Sequence, residues 1–470
     1  MNAAVADLHS AVPFVRALVA GHAAAAASLP EGGPGWLAEV RREHLQAFLR
    51  GGLPGAREER WKYMPLRALE RRAFAPGDAD AAHRPIDEQL LAQLAGIEGP
   101  RLVLVNGQFR PDLSSLQALP QGLELRPLPL ATAAGADPLE EERLRRIYPA
   151  LAVDSGAADA FVQVNTAFAS DGAVLRIAAG IRIEAPVQLV CIGAPADGER
   201  MWNVRVLVEL GAGAQLTLVE RHLDSGAPAH LGNVVTRIEL AEGARLWHLR
   251  LQQAGSASTL VARTDVAVGA GAHYRPVALE LGAALSRHEW VVALAGKGAA
   301  LSLRGVVLAS ARQLLDTRLS VVHEVGATQS DTLWRAIAGG RARCAFHGGI
   351  VIDEGADGSA AALQTKSLLL AEGAEIDAQP VLEIHADEVQ ASHGAAIGQL
   401  DATALFYLQT RGIPERQARH LLIDAFCAAV LQQVDWDLPV DAPSTHPLSL
   451  LRALLPQAIS ARLAELEGGR

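Results

Sequence analysis

Val206-Leu207-Val208-Glu209-Leu210, then Gly213-Ala214, then Leu216-Thr217-Leu218-Val219-Glu220, reads as strand, tight turn, strand. The Gly-Ala dipeptide returns at Gly243-Ala244, Gly271-Ala272, Gly298-Ala299, Gly326-Ala327 and Gly355-Ala356, at spacings of 30, 28, 27, 28 and 29 residues. Two closer copies follow at Gly373-Ala374 and Gly394-Ala395. Self-similarity at a fixed period of this length marks a solenoid, in which each repeat buries its apolar face only against its neighbours. Glycine takes positive φ at the turn without a Cβ clash, and alanine suits a corner with little room. The flanking runs alternate, so one face points into a narrow core and the other outward. The period therefore predicts a parallel β-helix of about 28 residues per coil. A β-sandwich gives turn signals roughly every 8 to 12 residues, and its turns would not keep one dipeptide in one phase.

Composition narrows the function classes. The formal net charge is -10, and an acidic balance without a basic block argues against nucleic acid as the main partner. Aromatics make up only 4% of the 470 residues, which suits thin coils better than a thick globular core. The three cysteines, Cys191, Cys344 and Cys427, form no CxxC, so neither a disulfide framework nor the four-thiolate set of an iron-sulfur cluster is available from this chain alone. No Lys or Arg precedes Arg16, so a basic n-region is missing, and Ala23 to Ala27 is too short an apolar run to span a bilayer. A cytoplasmic protein is expected.

The chain divides into a helical and mixed region at 1–158, a β-helix core at 159–400 and a helical domain at 401–470. Residues 1 to 50 read as helical and end at Gly51-Gly52-Leu53-Pro54-Gly55. Trp61-Lys62-Tyr63-Met64-Pro65-Leu66-Arg67 reads as a packed loop whose rings anchor the arm to the body. Arg101 to Gln108 gives a strand and turn, and strand signals resume at Ala160-Phe161-Val162-Gln163-Val164, where the solenoid is expected to begin. After Leu400 the period changes from 2 to 3.6. Asp401 is the expected N-cap of a short helix that Gly412 stops, and Pro414 opens a second with a wide apolar face through Leu421, Leu422 and Phe426. A third runs from about 448 to 466. Helices in this place either cap the open end of the solenoid or dock a partner.

Catalytic motifs are missing. There is no GxxxxGK[ST], GxSxG, HExxH or dinucleotide fingerprint, and Ala295-Gly296-Lys297-Gly298 lacks the first glycine and the hydroxyl of a phosphate loop. Nine of the fifteen histidines fall in the solenoid: His222, His230, His248, His273, His288, His323, His347, His385 and His393. Imidazole is a common transition-metal ligand, but this enrichment alone is unspecific. On a strand Glu383, His385 and Asp387 would share one face, read most simply as a solvated polar stripe. His393 stands apart, at an expected Gly-Ala corner beside the start of the helices.

Ser392-His393-Gly394-Ala395-Ala396-Ile397-Gly398-Gln399-Leu400-Asp401, with Leu405-Phe406-Tyr407-Leu408 and Arg411-Gly412-Ile413, resembles the C-terminal signature of the SufB/SufD family of iron-sulfur cluster assembly proteins. The Trp61 to Arg67 element looks like that of the SufD branch, and Val164-Asn165-Thr166-Ala167-Phe168 with Asp171-Gly172-Ala173 also fits. The resemblance covers nearly the whole chain. It implies a right-handed β-helix between helical regions, in a non-enzymatic scaffold that pairs with SufB through the β-helix and docks the ATPase SufC through its C-terminal helices. It carries a cluster-related histidine over to His393, as a tentative iron ligand, and SufC docking to Arg411, Gly412, Ile413, Leu421, Leu422 and Phe426. No cofactor would be held stably by the chain alone; a transient iron-sulfur cluster would form at the SufB interface, and an isolated chain could form a homodimer. The family often has cysteine before Ser-His-Gly, whereas this chain has Ala391, so thiolates would come from the partner. The other readings are a stand-alone binding or structural solenoid and a carbohydrate-active β-helix enzyme; the latter would need a secretion signal and an acidic calcium groove.

Overall fold

The computed structural model describes residues 12–27, 35–55, 57–77, 80–128, 138–148, 159–434 and 447–468. Its centre is a parallel β-solenoid of two ten-stranded sheets. Strands that precede a corner (Arg200–Leu210, Leu231–Leu240, Thr259–Val268, Leu285–Leu294, Leu314–His323, Arg343–Ile352 and Glu375–Ile384) lie in the first sheet. Those that follow it (Gln215–Asp224, Arg245–Gln253, His273–Glu280, Ala300–Ala309, Gln329–Ala338, Ala360–Leu369 and Gln390–Gly398) lie in the second. Neighbouring strands of a sheet are one coil apart in sequence, as in Leu218 beside His248.

The Gly-Ala turns are these corners. Gly213, Gly243, Gly271, Gly298 and Gly355 have φ between 60° and 80°, and the alanine after each is fully buried in the lumen. Successive corners are tied by backbone: Gly213 N–H donates to Glu242 O, Gly243 to Ala270 O and Gly271 to Lys297 O, at 2.8 to 2.9 Å. At Gly326-Ala327 the positive φ falls on the alanine, at 59°, while a Cβ on Gly326 would stand 2.6 Å from Asp357 O. This position needs glycine for close approach.

Two expectations need correction, and one of two open alternatives for the C-terminal helices is removed. Residues Ala160–Phe168 form an α-helix lying on the first sheet, and the nearest solenoid strand begins at Asp171. A short run in which apolar residues predominate fits a buried helix as well as a buried strand, and here all nine residues are buried, Gln163, Asn165 and Thr166 included. Asn165 fixes the helix in place, its Nδ2 donating to Val204 O and Asn233 O at 3.0 and 2.9 Å. Second, Gly394-Ala395 is not a corner; it lies inside the strand Gln390–Gly398. The C-terminal helices do not cap the open end. Glu415–Leu431 and Pro447–Gly468 lie along the outer face of the second sheet, with Ile423, Cys427, Val430 and Leu455 packed on Leu249, Leu279, Val306 and Ile337. Their apolar faces are consumed sideways.

The N-terminal arm covers the first sheet in the same manner, through Phe14, Phe48, Trp61 and Phe161 on Met201, Leu231 and Val261. Trp61 behaves as the expected anchor. It is buried beneath the Arg287 guanidinium, 4.0 Å from its ring centroid, and Arg287 also donates to Arg60 O. Arg60 bridges Asp159 and Glu289, each at 2.9 Å.

Side chains in the lumen are packed to contact. Gly305 faces Trp334 across neighbouring strands, and a Cβ there would stand 1.9 Å from the indole. Gly305→Ala should lower stability by about 1–3 kcal/mol. Urea denaturation should show that loss, and Gly305→Ala combined with Trp334→Leu should recover part of it.

Candidate functional site

Among the described residues nothing lids the last coil of the solenoid. Gln390–Gly398 is the last strand of the second sheet and Glu375–Ile384 the last of the first, so each has one unpaired edge among the described residues. In-register pairing fixes what these strands present. His393 stands beside Leu363, and Ala391 beside Ala361, both of which face the lumen. His393 therefore faces the mouth of the last coil, where no further coil covers it, and it is exposed. Val381, Ile384 and Ile397 are 39%, 43% and 46% exposed on the same end. A long, partly apolar sheet edge of this kind is a template for pairing with another chain.

Glu383 and His385 form an exposed pair at 3.0 Å. The strand stops at Ile384, so the one-face arrangement expected for Glu383, His385 and Asp387 does not form. Among the described residues no group of three or more His, Cys, Asp or Glu is placed to hold a metal ion. An ion at His393 would need ligands from outside this group. The cysteines offer none: all three are buried, and burial pushes Cys344 and Cys427 up to about 12 and Cys191 up as well.

The predicted docking set separates into two groups. In the helix Ala402–Thr410, N-capped by Asp401 through Thr403 N–H at 2.8 Å, no residue is buried; Phe406 is 66% and Tyr407 57% exposed. Arg411 stacks on Tyr407 and donates to its hydroxyl at 3.0 Å, and Gly412 turns the chain with φ 84°. Ile413 and Leu422 are half-buried, and Leu421 is exposed. Phe426 instead packs toward the solenoid, with the Arg335 guanidinium 5.4 Å from its ring. The outward apolar surface is thus Phe406, Tyr407 and Leu421, of which only Leu421 stood in the predicted set.

The sequence reading missed a polar cluster inside the lumen. Glu220 accepts from His222 Nε2 at 2.5 Å, His248 Nε2 at 3.1 Å and Arg250 Nε at 3.3 Å, and Arg250 also pairs with Glu280. His248 Nδ1 meets the Tyr274 hydroxyl at 2.9 Å, and His288 Nε2 meets Thr264 Oγ1 at 3.0 Å. Burial opposes the charge on Glu220, but the two histidine hydrogen bonds outweigh it and hold its carboxyl well below the usual range. Burial lowers His222 and His288 and raises Glu280. The signal was present in the sequence: after Gly213, Gly243 and Gly271 odd offsets point inward, and Glu220, His222, Arg250 and Glu280 all sit at odd offsets from these glycines.

Buried neutral histidines make stability depend on pH. His323 is bonded to Thr328 and Ser330 at 2.7 and 2.9 Å, and burial pushes it down to about 4. The unfolded chain takes up a proton below its own value near 6.5 and the folded chain does not, so stability is full above that pH and is lost as pH falls from there toward 4. His222 and His288 act in the same direction, whereas the raised Glu280 opposes them. The urea midpoint should fall between pH 7 and 5, with each such histidine contributing up to about 1.4 kcal/mol per pH unit. His323→Gln should flatten that slope.

The sequence matches the family model for the SUF system FeS cluster assembly SufBD core domain over residues 192–426, and that for the SufBD protein N-terminal region over 20–189. An iron-sulfur cluster assembly SufBD family protein of Synechocystis sp. is 29% identical over 438 residues, 90% of this chain and 91% of that one. The iron-sulfur cluster assembly protein SufD of Escherichia coli is 28% identical over 393 residues, 83% and 88% of the two chains. SufD of Bacillus subtilis is 25% identical over 304 residues, 61% and 65%. With one model spanning the regular coils through the helix laid on them, and the other spanning the arm that clamps them, this chain belongs to the SufBD family of the SUF system of FeS cluster assembly.

Proposed function

We propose that this chain is a scaffold subunit of a SUF-type iron-sulfur cluster assembly complex, which pairs with a SufB-like protein through the open end of its solenoid and docks a SufC-like ATPase through its C-terminal helices. The observation that carries this reading is the uncovered last coil: two sheet edges, exposed Val381, Ile384 and Ile397, and His393 in the mouth between them. A partner solenoid stacked there would continue the sheets and bring its own thiolates to His393. The imidazole would supply one donor to an iron of the nascent cluster, which is cargo on this account.

The ATPase would bind Phe406, Tyr407 and Leu421. That surface joins the His393 strand through a short path, from Gly398 through the Asp401 cap into Ala402–Thr410, then round Gly412 into Glu415–Leu431. Because the last of these helices is packed on Val306 and Ile337, force on Ala402–Thr410 would fall on the end coil and not on the whole solenoid. Nucleotide-driven movement of the ATPase would then shift the interface at which sulfur and iron combine.

Co-expression with the SufB-like and SufC-like neighbours and anaerobic reconstitution of the purified assembly test the proposal. A complex that forms with wild type and with His393→Ala, but loses cluster formation at least tenfold in the variant, would place His393 in the chemistry. Equal cluster formation would remove that role, and failure to capture either neighbour would remove the scaffold reading. Phe406→Asp with Leu421→Asp should abolish co-purification of the ATPase at unchanged thermal stability, while Phe426→Asp should lower the stability of the chain itself.

A further inference from the structure

Among the described residues Arg205 is a buried cation with no carboxylate in ion-pair contact. It leaves the outer face of the strand Arg200–Leu210 into the joint between the first sheet and the N-terminal helical layer, and it is 0% exposed. Its Nη2 donates to Thr166 Oγ1 at 2.6 Å, and its guanidinium lies 5.0 Å from the centroid of the Tyr148 ring. Its Nε and Nη1 have no partner. A second buried guanidinium, Arg41, enters from the helix Gly35–Gly51; its Nη2 donates to Ala169 O and its Nε has no partner. His44, one turn further on, is 1% exposed with an unpartnered Nδ1. The Tyr148 hydroxyl and the Trp36 indole N–H, whose rings meet edge-on at 6.0 Å, are unpartnered as well.

Charge around this joint does not balance. Among the described residues neither Arg41 nor Arg205 forms an ion pair with a carboxylate. Asp265, the acid whose field reaches Arg205, is already held by Arg263 through both oxygens at 2.8 to 3.0 Å. The C-terminal end of the helix Ala160–Phe168 offsets part of the Arg41 charge through Ala169 O, by about half an elementary charge. Cation-π contact with Tyr148 offsets part of the Arg205 charge. Among the described residues about one positive charge remains in a buried joint, where a charge without a counter-ion is strongly disfavoured. Guanidinium cannot shed its proton to escape that cost.

We propose that this joint binds a small monovalent anion of the halide class, held by Arg205, Arg41 and the donors around them. The unpartnered groups of Arg205, Arg41 and Trp36 are donors, and the Tyr148 hydroxyl can donate as well. A water molecule would accept only two of these hydrogen bonds and leave the charge. A halide accepts from any direction and supplies the missing charge. Sulfate would bring one negative charge too many, and sulfate or phosphate alike a larger dehydration cost, into a joint whose residues are 0–9% exposed. His44, held down to about 4 by burial and then by Arg205, is neutral in the absence of an anion and does not add to the charge.

The site clamps the N-terminal layer to the solenoid, so anion binding should stabilise the full chain. Crystals of the full-length protein soaked in bromide should show an anomalous peak within contact of Arg205 and Arg41. In solution at constant ionic strength, replacing gluconate with bromide should raise Tm by about 2 °C or more, and the rise should saturate. Arg205→Met should lose the bromide-dependent rise. Absence of anomalous density at Arg205 in well-ordered wild-type crystals would overturn the proposal even if the variant failed to fold. An equal bromide effect in Arg205→Met would overturn it from the solution side.

Discussion

Every coil of this protein is positioned by the backbone contact between its corner and the next. At Gly213, Gly243, Gly271 and Gly298 a glycine at positive φ turns the chain from one sheet to the other, and its N–H donates to a carbonyl of the following corner; at the next corner Ala327 takes that part, donating to Asp357 O. That bond can form only if each coil returns to the same height, which is why the corner spacing stays between 27 and 30 residues while the sequence between corners drifts. The same bond sets the register of both sheets. Once the corners stack, Val206 must lie beside Thr236 and Leu218 beside His248, and a one-residue slip would turn every lumen side chain outward.

Stacking in register has a cost when inward positions are polar. Glu220, Arg250 and Glu280 occupy three successive coils, and the lumen tolerates them because each carboxylate meets a guanidinium or imidazole and the rings of Tyr274 and Trp290 fill the space beside them. Removing one partner would strand the others in a medium where an unpaired charge is far more costly than the pair is favourable. The network therefore specifies how these three coils align more than it strengthens them. The same reasoning applied to the outer face of the first sheet finds Arg263, Arg287 and Arg60 in contact with Asp265, Glu289, Asp316 and Asp159, while among the described residues no carboxylate contacts Arg205.

The coils were legible because their signal is periodic and rests on backbone geometry that few residues satisfy. Asp401, Gly412 and Pro414 were legible for the same reason, since a cap, a left-handed residue and a helix opening each need a particular side chain. Ala160–Phe168 was misread because nine residues are too few to separate the two periods, and Gln163, Asn165 and Thr166 are buried along with the apolar residues between them. The direction of Phe426 could not be read either. A helix with apolar residues around much of its circumference does not reveal which of them meets the solenoid, and Leu421, five residues earlier, faces the other way. His393 was found through a motif, but the strand that bears it was taken for a corner.

That strand gives His393 its meaning. One coil earlier the same inward position holds Leu363, 2% exposed and packed between the sheets. A histidine there would be a buried polar group like His248. At the last coil the same geometry points the side chain into an open mouth, because the ladder stops and the helices that follow lie along the second sheet instead of over the end. The sideways placement of the C-terminal helices and the exposure of His393 are thus one arrangement. Had those helices capped the solenoid, Val381, Ile384 and Ile397 would be core residues and His393 would be sealed beneath them. By lying on the flank, they leave an inward-facing imidazole exposed at the end of the solenoid.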